Sequence, residues 1–110
     1  MSNPNESPEA PPLDQQVALV TGGAGGIGSQ ICRELAARGT TVVVSDVTAD
    51  RAAAVADEIG QTGGRAFAQD LDITSSAAVD AAVEAIQADH GRLDIVVNAA
   101  GFPVDRPLLK

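Results

Sequence analysis

The sequence is short of the residues that carry most side-chain chemistry. In 110 positions it has one cysteine, one histidine, one lysine and no tyrosine. The lone Cys32 excludes an internal disulfide framework and a cysteine-based metal site. It falls among apolar positions, where a small buried hydrophobe is expected. No metal site is expected elsewhere. His90 stands just before Gly91 and reads as the end of a helix rather than as a catalytic group. Basic charge is also scarce: seven basic residues against fifteen acidic ones give a net charge of −8, and the six arginines are scattered. That argues against nucleic acid or an anionic membrane as partner, because phosphate surfaces are bound by clustered Lys and Arg. No apolar run approaches the ~18 residues of a membrane helix, and no basic start followed by an apolar stretch marks a secretory signal. A soluble, cytoplasmic protein is expected.

The length suits about one small domain. Residues 1–13 are expected to be a disordered tail, since the first twelve hold four prolines, two glutamates and no apolar periodicity. Residues 14–110 are assigned to a single α/β unit. Val17–Val20 reads as a first strand. A helix follows with Ile27, Ile31 and Leu35 at i, i+4, i+8, stopped by Gly39. Thr40–Ser45 is a second strand, apolar through its centre as a strand buried on both faces should be. A second helix over 49–59 carries Ala52, Val55, Ala56 and Ile59 on one side and is broken by the glycines at 60–64. Arg65–Gln69 is a third strand. Thr74 or Ser75 caps a third helix with Val79, Ala82, Val83 and Ile86 on one face, closed by Gly91, and Leu93–Val97 is the fourth strand. This βαβαβαβ order specifies a parallel sheet with right-handed crossovers. Beyond Asn98, Pro103 and Pro107 read as loop, so the expected architecture is a Rossmann-type doubly wound parallel sheet, truncated after the fourth strand.

The stretch that organises the rest is V-A-L-V-T-G-G-A-G-G-I-G at 17–28. A strand that breaks into glycine and opens into a helix places backbone N–H groups and the positive end of a helix dipole at one point, which binds phosphate. Gly23, Gly25 and Gly28 fit G-x-G-x-x-G, the general dinucleotide fingerprint. Thr21, Gly22, Gly26, Ile27 and Gly28 fit the longer T-G-x-x-x-G-I-G. A merely flexible glycine loop is the plainer alternative. A P-loop is excluded for want of G-K-[S/T].

Asp46 follows Gly28 by 18 positions, close to the ~20-residue spacing at which an acidic residue accepts hydrogen bonds from an adenosine ribose. A carboxylate there repels a 2′-phosphate, so the spacing selects NAD over NADP. Arg51 lies near enough in sequence to temper that preference, and a helix-capping role for Asp46 is the structural alternative. In a parallel sheet all carboxyl ends share one edge, so Thr21, Asp46, Asp72 and Asn98 are expected to converge on one crevice. Ala99, Ala100 and Gly101 leave room there for a flat ring or ribose.

The motifs T-G-G-A-G-G-I-G at 21–28, S-D at 45–46, L-D-I-T at 71–74 and L-D-I-V-V-N-A-A-G at 93–101 together resemble the N-terminal half of a short-chain dehydrogenase/reductase. The resemblance implies that Gly22, Ala24, Gly26, Ile27 and Gly28 form the pyrophosphate turn, with Ile27 toward the nicotinamide. It implies that Asp46 holds the adenosine ribose, that Asp72 and the Ile73 backbone hold the adenine, and that Asn98, Ala99 and Ala100 form the other ribose side. One departure is visible: Ala99 stands where the family pattern N-N-A-G has its second Asn.

Such enzymes transfer hydride between a nicotinamide and a carbinol or carbonyl carbon, with a Tyr acid/base, a Lys four residues later and a Ser. No Tyr-x-x-x-Lys pair exists in this sequence, whose only lysine is Lys110, so no catalytic residue is assigned. Three readings remain: the NAD-binding part of an alcohol/ketone oxidoreductase, a stand-alone non-catalytic NAD-binding or interaction fragment, and a methyltransferase-like Rossmann domain, which Asp72 and N-A-A-G disfavour. Homo-oligomerisation is expected only of a complete fold of this type, and a bare fourth strand would be an exposed hydrophobic edge.

Overall fold

The computed structural model describes residues 12–100. After a 3-10 turn at Leu13–Gln15 come β1 (Val17–Thr21), α1 (Gly26–Ala37), β2 (Thr41–Asp46), α2 (Ala49–Gln61), β3 (Arg65–Asp70), α3 (Ser76–His90) and β4 (Ile95–Asn98). The strands form one parallel sheet in the order β3-β2-β1-β4. The expected α/β order and parallel sheet are thus present. Of the tail expected over 1–13, residues 1–11 lie outside the described residues, as does the loop after Ala100, while Leu13 belongs to the 3-10 turn and its carbonyl accepts the Thr40 hydroxyl. Among the described residues no helix is long and apolar enough to cross a membrane, and no group of three His, Cys, Asp or Glu side chains is placed to hold a metal ion.

β1 is buried along its length and β2 through its centre, with Ala18, Leu19, Val20, Val42 and Val44 fully shielded, as expected where helices cover both faces of a parallel sheet. On one face Val20, Val42 and Val44 pack with Cys32 and Ala36 of α1 and with Ala52, Val55, Ala56 and Ile59 of α2. On the other, Val17, Leu19 and Val43 meet Ile86 of α3. Val79 and Ala82 of α3 close over Leu71 and Ile73.

The apolar stripe of α1 differs from the sequence expectation. The buried face is Gly28, Ser29, Cys32 and Ala36, whereas Ile27 is 74% exposed and Ile31 and Leu35 are only partly buried at the margin of the core. The physical reason is distance. A helix whose first turn closes tightly over the strand-to-helix turn presents small residues to the sheet, and the larger aliphatics fall to its flank.

Strand limits shift for identifiable reasons. Thr40 donates its N–H to Leu35 O and its hydroxyl to Leu13 O, which makes it part of the turn rather than of β2. Asp94 spends its side chain on the N–H of Val17 at 2.8 Å while Arg92 grips the same carboxylate at 2.7 and 2.8 Å. The β4 strand therefore begins at Ile95 rather than at Leu93. At the ends of α3, Ser75 accepts the Ala78 N–H at 3.2 Å, fixing the cap at Ser75, and Gly91 closes the helix at φ +79°. His90 lies at that helix end against the Phe67 ring, centroids 4.9 Å apart.

Candidate functional site

The carboxyl ends of β1, β2 and β4 meet beside the N-terminus of α1. β1 runs into Gly22, at φ +66°, and a Cβ there would fall 2.7 Å from the Ala100 backbone. Only glycine lets this turn pass so close to the segment after β4. Gly28 serves the same turn from the far side, since a Cβ on it would run into the Gly22 carbonyl. Gly26 is different: its φ is ordinary and a Cβ would meet nothing. Gly25 caps α1 without any side-chain acceptor. The N–H groups of that first turn, which no helix satisfies internally, face out of the helix end.

Two hydrogen bonds staple this turn to the end of β2. Gly23 donates its N–H to Ser45 O at 2.8 Å, and Ala24 donates its N–H to Asp46 Oδ2 at 3.2 Å. The other carboxylate oxygen, Oδ1, accepts the Thr48 N–H at 3.0 Å. Asp46 thus holds both the glycine turn and the entry to α2. Arg51, in the first turn of α2, reaches back to Ala24 O with Nη2 at 3.4 Å.

On the β4 side, Thr21 donates its hydroxyl to Asn98 Oδ1 at 2.9 Å, and the same oxygen accepts the Ala100 N–H at 3.3 Å. Ala99 donates its N–H to Thr21 O at 3.0 Å. These bonds fold the strand end over β1 and put the small Ala99 and Ala100 against Gly22. Beyond β3, Asp72 Oδ1 accepts both the N–H of Thr74 at 2.9 Å and its hydroxyl at 2.6 Å. Those bonds from Thr74 hold the Asp72 carboxyl below the usual carboxylate range, so it is ionised at neutral pH.

Between these groups lies a crevice of about 270 Å³. Of the residues singled out in the sequence, Gly22, Asp46, Asp72, Ile73, Ala99 and Ala100 line it. Ala24, Gly26, Ile27, Gly28 and Asn98 do not: Ala24 and Asn98 act through the hydrogen bonds above, Gly28 is buried behind the turn, and Gly26 and Ile27 are exposed at the start of α1. Gly25 of the G-x-G-x-x-G fingerprint, Arg51, and Leu71 and Thr74 of L-D-I-T also line it, and the structure adds Val47 to the walls. Val47 is 68% exposed despite its apolar side chain. A strand that ends in Asp46 and continues with one isolated valine carries no periodic signal for it. A larger groove, about 590 Å³, lies among the C-terminal ends of α1 and α2 around Ala36, Ile59 and Gly64. Its charged groups Arg33 and Glu58 pair with each other at 3.0 Å, and its lining residues Gly39 and Gly64 lead into the amino ends of β2 and β3 rather than out of carboxyl ends, so the smaller crevice is the functional candidate.

Residues 16–110 match the family model described as short chain dehydrogenase. The chain is 44% identical over 100 residues to 7alpha-hydroxysteroid dehydrogenase of Escherichia coli strain K12, covering 87% of this chain and 39% of that enzyme. In structure it is similar to a 7 alpha-hydroxysteroid dehydrogenase complexed with NADH and 7-oxo glycochenodeoxycholic acid, with a TM-score of 0.76 and 42% identity over 88% of this chain and 40% of that one. It is also similar to a metagenomic short-chain oxidoreductase in complex with NADP, with a TM-score of 0.72 and 38% identity over 74% of this chain and 37% of that one. The chain therefore spans about two-fifths of the length of these proteins. On its sequence and its fold together, the chain belongs to the short chain dehydrogenase family.

Proposed function

We propose that these residues are the dinucleotide-binding part of an oxidoreductase that acts on alcohol or carbonyl groups, with NAD preferred over NADP. The observation that carries this reading is the convergence of the Gly22 turn, Asp46, Ile73 and Ala100 on one crevice at the carboxyl edge of a parallel sheet, where open α/β sheets bind ligands.

The residues present suit such a group. The open space over Gly26 and the uncapped first turn of α1 form a cradle that a side chain would fill and that a pyrophosphate would fit. In this reading Gly22, Ala24, Gly26, Ile27 and Gly28 make the pyrophosphate turn, Ile27 flanks the nicotinamide, and the Asp46 carboxylate accepts from the adenosine ribose hydroxyls. Asp72 and the Ile73 backbone bound the adenine. Val47 and Leu71, which line the same crevice, add apolar walls for a flat ring. Asn98, Ala99 and Ala100 bound the second ribose, and the Ala99 methyl turns inward to the core with Val97 where an Asn would have offered an amide. When bound, the nicotinamide supplies or accepts the hydride. The role of this chain's residues is to bind it, orient it and select it.

The 110 residues contain no tyrosine, and their only lysine is Lys110, so the role proposed for them is cofactor binding and no catalytic role is assigned to any of them. The Tyr and Lys that protonate a developing alkoxide in the family pattern are not among them.

The test is a fluorescence titration of NADH and NADPH against the chain and its Asp46→Ala variant. The expected result is saturable NADH binding that weakens about tenfold in the variant, with discrimination against NADPH relaxed, which corresponds to roughly 1.4 kcal/mol. Unchanged affinity for both cofactors would show that the ribose lies elsewhere.

A further inference from the structure

The groove of about 590 Å³ between the C-terminal ends of α1 and α2 has no part in the cofactor reading. Its floor is apolar, with Ala36 and Ile59 the buried residues of the lining. Its rim is open: Ala37 is exposed, and a Cβ on Gly63 would meet nothing.

The chain enters the described structure at the edge of this groove. Asp14 packs on Gly39, one of the lining residues, so closely that a Cβ on Gly39, whose φ is +91°, would fall 2.7 Å from the Asp14 Cβ. Leu13 O accepts the Thr40 hydroxyl at 2.9 Å, and Asp14 O accepts Arg65 Nη2 at 2.7 Å. These bonds fasten the root of the N-terminal segment to the amino edge of the sheet. Pro12, with φ −64° and ψ 159°, has polyproline II backbone. Eleven residues precede it, and at ~3.1 Å per residue in that conformation they reach roughly 34 Å. The groove needs far less, since Arg33 and Ala37 stand only ~6 Å apart along α1 at ~1.5 Å per residue.

The charges of segment and groove edge are complementary. Residues 1–11 carry Glu6 and Glu9 and no Lys or Arg. Arg33 and Arg38 already hold carboxylates, whereas Arg65 is exposed and meets none among the described residues. The prolines suit a groove as well. Pro4, Pro8 and Pro11 have φ fixed in advance, which lowers the entropy lost on ordering, and a three-residue period sets Pro8 and Pro11 on one edge. The segment has too little apolar surface to order by itself; the groove supplies the surface that it lacks.

We propose that residues 4–11 lie along the α1–α2 groove as a strap, with Pro8 and Pro11 over Ala36 and Ile59 and a glutamate of the segment on Arg65. The occupant of this face is the chain's own N-terminal segment. The strap ties α1, α2 and the start of β3 together at the edge of the sheet opposite the crevice, and it does not depend on the cofactor reading.

The test is spin-label NMR on the full isotope-labelled chain. Ser7→Cys supplies the attachment site, since Cys32 is buried. A nitroxide there should bleach the amide signals of Ala37, Gly63 and Gly64 and spare those of Gly22–Gly26 at the far edge. In Glu6→Lys/Glu9→Lys the bleaching should be largely lost at low salt, where the ion pair is least screened, and the Gly63 and Gly64 amides should move toward their positions in a chain lacking residues 2–11. Equal bleaching at both edges, or a shortened chain whose amides differ from the full chain only at residues 12–16, would overturn the strap. Bleaching that arises only when isotope-labelled chain is mixed with spin-labelled chain would overturn it too, by assigning the groove to a second copy. NADH titration is read separately, so either result leaves the binding reading where it stands.

Discussion

The carboxylate of Asp46 and the N–H of Ala24 lie 3.2 Å apart across 22 positions of sequence, which makes the acidic residue at the end of β2 a part of the glycine turn at the end of β1. Asp46 therefore has two jobs that substitutions separate. Asp46→Asn keeps an oxygen that can accept the Ala24 or Thr48 N–H but removes the charge. It should retain most of the stability lost in Asp46→Ala, where both N–H groups lose their partner, a difference of about 1 kcal/mol. Chemical denaturation of the two variants measures it; equal stabilities would show that the turn does not depend on the carboxylate.

The glycines of the turn divide by what surrounds them. Gly28→Ala drives a methyl into the Gly22 carbonyl, a backbone atom that cannot move aside, and should cost about 3 kcal/mol or more. Gly26→Ala meets nothing at an ordinary φ and should leave stability unchanged or raise it by about 0.5 kcal/mol, while weakening NADH by about tenfold if that space receives the pyrophosphate. Melting temperatures alongside NADH titrations check both. A Gly26→Ala variant that binds as the wild type does would remove Gly26 from the site.

Stability should fall in acid through Asp94. Hydrogen bonding by the Arg92 guanidinium and then by the Val17 N–H holds the Asp94 carboxyl below its ordinary value of 3.8. The sign follows: with the folded-state value depressed, the contribution is fully present above the unfolded value of about 4 and is lost as pH drops through the lower folded value. Asp94→Asn should cost about 1 to 2 kcal/mol at pH 7 and flatten the stability profile below pH 4. Some slope should persist through Asp72, which is shifted in the same direction by Thr74. Urea midpoints from pH 2 to 7 test this, and an unaltered acid slope in the variant would contradict it.

Cys32 is fully shielded beneath α1, and burial pushes its thiol up to about 11. At pH 8 it should be protonated and inaccessible, so a disulfide reagent should label the native chain only as fast as the chain unfolds. Rapid labelling without denaturant would show that the packing of α1 on the sheet is looser than described.

Much of this fold was legible because its signals are local. The β-branched run around Val42–Val44, the apolar face of α2 at Ala52, Val55, Ala56 and Ile59, and the stop signals at Gly39 and Gly91 each act within a few residues. What escaped depends on distance across the fold. Ile27, Ile31 and Leu35 have helical spacing, yet only the turn beneath α1 decides that Cys32 and Ala36 face the sheet. The start of β4 depends on Asp94 meeting Val17, 77 positions away. For the candidate site, the carboxyl-edge rule placed Asp46, Asp72 and Ala100 together. It left out Val47, an apolar wall residue without a motif, gave Leu71 of L-D-I-T no place in the wall, and gave no sign that Arg51 contacts Ala24.

The most direct test of the central claim, that a dinucleotide binds at the carboxyl edge, is a map of backbone amide shifts in the isotope-labelled chain on titration with NADH. Saturable shifts are predicted at Gly22–Gly28, Asp46–Thr48, Asp72–Ile73 and Asn98–Ala100, with little change around Arg33, Ile59 and Gly63. Shifts concentrated in that α1–α2 groove, or none at any NADH concentration, would contradict the account.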